Sequence, residues 1–82
     1  MQTLFINGND YATARELHLA LKRLLHLPEY YGCNADALYD CLSERKGTVN
    51  LCIASLGNEE VASALRKCAA VIEDLGGEVK EL

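Results

Sequence analysis

Three acidic side chains at helical spacing are the residues of this chain with the clearest potential for chemistry. Asp36, Asp40 and Glu44 recur every fourth residue, so a helix would hold their carboxylates in one row. Like charges at that spacing repel one another by a few tenths of a kcal/mol per pair, and only Asp36 is near enough to the helix start to be stabilised by the helix dipole. Such a row can bind a cationic partner, hold a divalent metal ion or form a solvated face.

Catalysis is the interpretation of the acidic row that the sequence supports least. The chain contains no GxSxG, Walker, GxGxxG or HExxH motif. Asp36 and Asp40 could bind Mg²⁺ or act as general acid and base, but both would lie on a helix exterior with no implied pocket. His18 and His26 are predicted on the polar side of one helix, solvated and without a third ligand. We therefore predict no enzyme, no metal site and no cofactor.

The charge and hydropathy of the chain favour a cationic protein partner over nucleic acid or a membrane. The net charge is −4 and the isoelectric point is near 5.0, whereas a general nucleic-acid binder needs clustered cations. No apolar run reaches the length of a membrane span, and the short run near the start lacks the basic residue that precedes a signal-peptide core. We expect a cytoplasmic protein.

The four cysteines predict neither a disulfide framework nor a zinc site. Their spacings contain no CxxC pair, and no secretory signal accompanies them. Cys41, Cys52 and Cys68 fall where a small apolar side chain would serve. Cys33, in a predicted loop, is the cysteine expected to be exposed and oxidisable.

The elements that must position the acidic row begin with a strand and a helix. Residues 3–7 are a short apolar and β-branched run closed by Gly8, which predicts a strand and a turn. Thr13 and Glu16 form a capping-box pattern at the start of the first helix. The apolar side of that helix is predicted to contain Ala14, Leu17, Leu21, Leu24 and Leu25.

A loop separates this helix from the acidic one. Pro28 ends the first helix, and Asn34 is predicted to cap a second helix that begins at Ala35. Tyr39 is expected beside the acids. The opposite side of this helix is predicted to contain Ala35, Ala37, Leu38, Cys41 and Leu42.

The second half of the chain predicts a strand, a long helix and a last strand. Residues 48–54 alternate as a strand expected to be covered on both faces, and Asn58 caps a helix that Gly76 and Gly77 end. Residues 78–82 suit an edge strand. Helical connections between all three strands imply a parallel sheet with right-handed crossovers and the second strand in the middle. We predict a single α/β domain over residues 1–82.

Residues 27–42, LPEYYGCNADALYDCL, resemble the signature of the barstar family, the intracellular inhibitors of barnase-type ribonucleases. The resemblance implies a barstar-like α/β fold, a three-stranded parallel sheet packed with about three helices. It also implies an inhibitor or antitoxin in the bacterial cytoplasm that fills the active site of a ribonuclease and has no enzymatic activity of its own.

The same resemblance implies a role for individual residues. Asp40 would be the main mimic of an RNA phosphate, Asp36 would meet cationic residues, and Tyr30 would pack near a catalytic histidine of the enzyme. The partner would be a basic extracellular-type ribonuclease, with no direct contact to nucleic acid or membrane, and the free inhibitor would be a monomer. The implied partner-binding residues are Tyr30, Tyr31, Gly32, Asn34, Asp36, Tyr39 and Asp40.

Departures from the family pattern favour a second interpretation, a barstar-fold module for a different basic partner such as another nuclease toxin. Cys33 stands where the family has an acid, Ala35 where it has a larger apolar residue, and residues 45–47 replace a partly aromatic segment. Val71 lies near the place of an acid on the family's last helix, so no binding residue is predicted there. A metal-dependent enzyme that uses the acidic row stays open as an interpretation, and so does a row that only keeps the surface solvated.

Overall fold

Three parallel strands and three α-helices make up the computed structural model, which describes residues 2–82. The strands are β1 (Gln2–Asn7), β2 (Val49–Ser55) and β3 (Val79–Glu81), in the sheet order β1-β2-β3. The helices are α1 (Ala14–Leu25), α2 (Ala35–Ser43) and α3 (Glu59–Asp74), and a 3₁₀ turn at Gly8–Asp10 follows β1. The predicted fold class is confirmed, with the second strand at the centre of the sheet.

Side-chain caps begin all three helices where the sequence predicts them. Thr13, Asn34 and Asn58 each accept a hydrogen bond from the backbone N–H three residues later, at 3.1, 2.8 and 2.9 Å respectively. Glu16 adds a second bond at the start of α1, but its Oε1 accepts from the N–H of Ala12 rather than from that of the cap residue itself. These caps satisfy backbone donors that the first helical turn would otherwise leave unpaired.

The core lies between the sheet and the helices, on one face of the sheet only. Leu4 and Ile6 of β1 and Leu51 and Ile53 of β2 are buried with the apolar sides of the helices, whereas Phe5, which points to the opposite face, is 72% exposed. The strands lie in chain order with helices in both connections, so crossovers of the usual right-handed sense place every helix on the same side. The expectation that β2 is covered on both faces is therefore wrong: its second face is only partly buried.

The buried side of α1 differs from the predicted one at two positions. His18, predicted to be solvated, is 4% exposed, and Leu24, predicted to be in the core, is 42% exposed. The cause is tertiary, since the loop after α1 folds over the turn that contains His18 and brings the Tyr31 hydroxyl against it. Leu24 lies at the margin of the apolar stripe in the last turn. His26 is exposed as predicted.

The ends of β1 and β2 approach each other so closely that only glycine fits between them. A Cβ on Gly8 would lie 2.5 Å from the carbonyl carbon of Leu56, and one on Gly57 would lie 2.4 Å from the carbonyl oxygen of Gly8. Gly57 also has a φ of +73°, a conformation that a side chain disfavours. The connection from β2 to α3 is thereby held against the turn that leads into α1.

We predict that Gly8→Ala lowers the free energy of unfolding by about 1–3 kcal/mol, because the added methyl group meets backbone that cannot move aside cheaply. Urea denaturation measures the change. Gly32→Ala is the matched control, since a Cβ there would meet no atom closer than 3.4 Å and should cost much less. Equal losses in the two variants would contradict the argument from close approach.

Candidate protein-binding surface

The loop between α1 and α2, together with the outer side of α2, forms one surface at the edge of the helical layer. Six of the seven predicted partner-binding residues have exposed side chains or backbone there. Tyr30, in the loop, is 82% exposed, and Tyr39, on α2, is 43% exposed. The six exposed residues are Tyr30, Gly32, Asn34, Asp36, Tyr39 and Asp40. Their role as contacts stays a prediction.

Tyr31 is the member of the predicted set that the structure places elsewhere. Its side chain is 6% exposed and belongs to the core, so it does not offer a free aromatic ring to a partner. The two adjacent tyrosines thus have opposite environments. Tyr30 faces solvent, whereas the side chain of Tyr31 packs into the core beneath the loop.

The orientation of α2 follows from its buried residues. Leu38 and Leu42, one turn apart, are buried in the core and fix which side of the helix faces outward. Asp36 and Asp40 then lie on the exposed side in one row, as their spacing predicts. Glu44, the third acid, lies beyond the last helical residue, at the C-cap position. The acidic row of the helix itself therefore contains two carboxylates.

Neither carboxylate of this row forms an ion pair with a cation among residues 2–82. One ion pair with an N–O distance below 4.0 Å is found among residues 2–82. It joins Lys22 of α1 to Glu29 of the loop, at 3.1 Å. The side chains of Asp36 and Asp40 are exposed to solvent. A cationic partner would meet both of them without having to break an existing salt bridge.

The loop that carries Tyr30 is held by short-range backbone contacts at both ends. The N–H of Leu27 donates to the carbonyl of Lys22 at 2.9 Å, which closes α1, and the N–H of Tyr31 donates to the carbonyl of Pro28 at 2.9 Å. Asn34 Nδ2 donates to the carbonyl of Gly32 at 3.3 Å, so the residue that caps α2 also folds the loop before it. The binding loop is thus built as a series of turns rather than as a free segment.

A buried contact between His18 and Tyr31 fixes this loop to α1. His18 Nδ1 and the Tyr31 hydroxyl are hydrogen-bonded at 2.7 Å, and their ring centroids are 5.8 Å apart. The same hydroxyl donates a longer bond, at 3.5 Å, to the carbonyl of Asn34. Three parts of the site are therefore joined through one oxygen atom: the helix α1, the loop and the cap of α2.

Burial changes the titration of both partners in this contact. It lowers the pKa of His18 from its ordinary value of 6.5, because the imidazolium form loses solvation. It raises the pKa of Tyr31 far above 10.0, first through the same loss of solvation and then through nearby thiols. At neutral pH both groups are thus uncharged, which a buried hydrogen bond between them requires.

His18 is the site residue that sequence reasoning missed. It follows Leu17 on the helix and lies three and seven residues before Leu21 and Leu25, which is the spacing of a shared helix side. That periodicity could have placed it near the core. The hydroxyl group that hydrogen-bonds to His18 is thirteen residues away in a loop, and no local sequence pattern predicts such a partner.

Other kinds of site find little support among residues 2–82. No group of three or more His, Cys, Asp and Glu side chains in this part of the chain could share a metal ion, and none of its helices has the length and hydropathy of a membrane span. The cysteines are free thiols. Cys33 is half-buried rather than fully exposed, and burial raises the pKa of Cys68 to about 12.

We predict that Tyr31→Phe lowers the free energy of unfolding by about 1–3 kcal/mol, because the variant leaves the buried His18 Nδ1 without its partner. Denaturant unfolding provides the measurement. Tyr30→Phe removes the same hydroxyl from an exposed side chain and serves as control, with a change expected within about 0.5 kcal/mol. If both variants were equally stable, the buried hydrogen bond would not contribute as argued.

The lowered pKa of His18 predicts a loss of stability in weak acid. Because the folded pKa lies below the unfolded one, the unfolded chain binds more protons as the pH falls through 6.5, and the free energy of unfolding decreases until the folded pKa is passed. Above pH 6.5 this contribution is fully present. Urea unfolding at several pH values between 5 and 7.5 measures the slope.

His18→Gln should flatten that slope in stability between pH 5 and 7.5, whereas His26→Gln, at an exposed position, should leave it unchanged. If the free energy of unfolding depends on pH as steeply in His18→Gln as in the wild-type protein, another group causes the dependence.

Comparison with known proteins places the chain in a family. A family model described as Barstar (barnase inhibitor) matches residues 1–81. A protein of Bacillus subtilis (strain 168) named "Putative ribonuclease inhibitor YrdF" is 46% identical over 43 residues, which are 52% of this chain and 47% of that protein. The match thus spans about half the length of this curated relative. Because the family model extends over almost the whole chain, the protein belongs to the barstar family.

Proposed function

We propose that this protein is a cytoplasmic inhibitor that blocks the active site of a small basic ribonuclease by placing Asp36 and Asp40 where the RNA phosphates bind. The observation that carries the proposal is the pair of exposed carboxylates on α2, which form no ion pair among residues 2–82, beside the exposed ring of Tyr30. Membership of a family described by barnase inhibition supports the choice of a ribonuclease as partner.

The electrostatics of the free protein favour such a partner. A ribonuclease active site must stabilise phosphate charge, and it does so with cationic and N–H-donating groups. Carboxylates at the phosphate positions would form charge-assisted hydrogen bonds with those groups, and the repulsion between Asp36 and Asp40 would be relieved at the same time. The net charge of −4 would also speed encounter with a basic protein at low salt.

The rigidity of the binding loop adds to the proposed affinity. Tyr30 is 82% exposed on a loop that the His18 and Tyr31 contact holds in place. An exposed aromatic side chain on an ordered loop loses little conformational entropy when it binds, and such side chains are frequent at the centre of tight interfaces. In the proposed complex Tyr30 packs against the enzyme beside the helix that supplies the charges.

A different basic nuclease toxin is a second candidate target within the same proposal. Cys33, at the start of this surface, is a half-buried thiol where the family pattern has an acid, so the edge of the surface next to Asn34 is less acidic. Inhibition assays against barnase and a panel of basic nuclease toxins separate the two targets.

We predict that Asp40→Asn weakens inhibition by more than about 30-fold, because the variant leaves a desolvated cation of the enzyme without its counter-charge. The measurement is the inhibition constant against barnase-catalysed cleavage of an RNA substrate. Glu44→Gln is the matched control, since it removes the same charge from an exposed position outside α2, and its effect should stay within about threefold. Equal effects of the two substitutions would refute the assignment of Asp40.

A further inference from the structure

A cavity of about 610 Å³ opens beside the acidic row, where the starts of α1 and α2 meet the first half of α3. Asp36 lines it, so the cavity is continuous with the surface proposed to bind the ribonuclease. The methyl groups of Ala14, Ala35 and Ala64 form the apolar part of its lining. Because Asp36 belongs both to the acidic row and to the lining, a partner bound to the row would meet the edge of the cavity.

Glu60, on α3, is fixed at the cavity by the packing of α3 against α1. Its Oε2 accepts a hydrogen bond from the N–H of Ala14 at 2.7 Å, and Asn58 Nδ2 donates to the carbonyl of Ala12 at 2.9 Å nearby. One carboxylate oxygen of Glu60 is thereby used inside the fold. The other accepts no hydrogen bond among residues 2–82 and can accept one from a ligand.

The imidazole of His18 supplies a third acceptor in the lining. His18 is 4% exposed and lines the cavity, with Nδ1 bonded to the Tyr31 hydroxyl. In the tautomer that satisfies both contacts of the hydroxyl, Nδ1–H donates to the hydroxyl oxygen, the hydroxyl donates to the carbonyl of Asn34, and Nε2 is an acceptor. Nε2 has no hydrogen-bond partner among residues 2–82 and is not fully enclosed, and His18 is one of the residues that line the cavity.

The charges around the cavity leave its carboxylates available. Lys67 also lines the cavity, but it lies more than 4.0 Å from the carboxylates of Asp36 and Glu60, since the ion pair found among residues 2–82 joins other residues. The lining thus combines two unpaired carboxylates and a neutral imidazole acceptor with a single ammonium group. A ligand with several N–H donors, a positive charge and an apolar stem complements this set.

We infer that the cavity receives an arginine side chain of the same ribonuclease that α2 binds. A guanidinium group carries five N–H donors and no acceptor, and its stem would lie along the alanine methyl groups. The inference rests on the proposed function, because it assigns a second contact to that interface. It makes Glu60, on α3, a specificity-determining residue far in sequence from the acidic helix.

The decisive experiment compares Glu60→Gln with Glu59→Gln in binding to barnase and to the other ribonucleases that the wild-type protein inhibits. Glutamine at position 60 retains an oxygen for the N–H of Ala14, so the fold is preserved while the charge is lost. We expect the dissociation constant to rise on the order of tenfold for Glu60→Gln. Glu59 is exposed in the same helical turn but does not line the cavity, and its substitution should leave the constant unchanged.

A pair of charge reversals tests the same inference with the opposite sign. Lys67→Glu removes the one cation of the lining and adds an acid, so the dissociation constant should fall several-fold. Arg66→Glu changes the net charge equally at an exposed position outside the cavity and controls for general attraction to a basic protein. The inference is supported if the dissociation constant falls more for Lys67→Glu than for Arg66→Glu.

The outcomes separate this inference from the proposed function. If the wild-type protein inhibits a ribonuclease but the variants at positions 60 and 67 behave as their controls do, the cavity takes no arginine and the inference is wrong, while the proposed function stands. If the wild-type protein inhibits no ribonuclease, both are overturned together.

Discussion

The hydrogen bond between His18 and Tyr31 is the interaction on which the arrangement of the rest of the site depends. It joins a helix to a loop in the interior, where an unpaired partner would cost about 1–3 kcal/mol. Through the same hydroxyl it reaches the carbonyl of Asn34, the residue that caps α2. The contact therefore holds the loop that carries the exposed ring of Tyr30, while Leu38 and Leu42 in the core orient the carboxylate row. His18 also lines the cavity beside the row.

The one-sided sheet explains why the helices carry the candidate binding surface. With every helix on the same face of three parallel strands, the core is a single layer of apolar side chains between sheet and helices. A chain of 82 residues buries a smaller fraction of its surface than a larger domain does. Few apolar residues are therefore left on the surface to contact a partner, and Leu38 and Leu42 of α2 are buried in the core. What remains for recognition is charge, exposed aromatic rings and ordered backbone.

The acidic surface illustrates a compromise between folding and binding. Asp36 and Asp40 repel each other in the free protein, and no cation of the described residues pairs with either. The same feature removes a penalty from binding, because a basic partner meets charges that are already free. Glu60 would combine both roles in the inferred contact, since one oxygen accepts a hydrogen bond at the start of α1 and the other has no partner among residues 2–82. Stability and recognition are in this way distributed over α1, α2 and α3.

The sequence by itself determined the parts of this protein that depend on residues close together in the chain. Helix caps at Thr13, Asn34 and Asn58 were predictable because each bond spans three residues, and the spacing of Asp36 and Asp40 placed both on one side of a helix. The order of the strands followed from the tendency of consecutive strands to lie side by side, which is general to parallel sheets with helical connections.

Tertiary structure decided the features that join distant segments. Tyr30 and Tyr31 are adjacent and chemically identical, so only the packing of the loop onto His18, thirteen residues before Tyr31, could give one of them to solvent and the other to the core. The single covered face of β2 depended on where three helices lie together. The contact of Glu60 with Ala14 spans forty-six residues, and no local pattern of hydrophobicity or charge encodes a pairing at that distance.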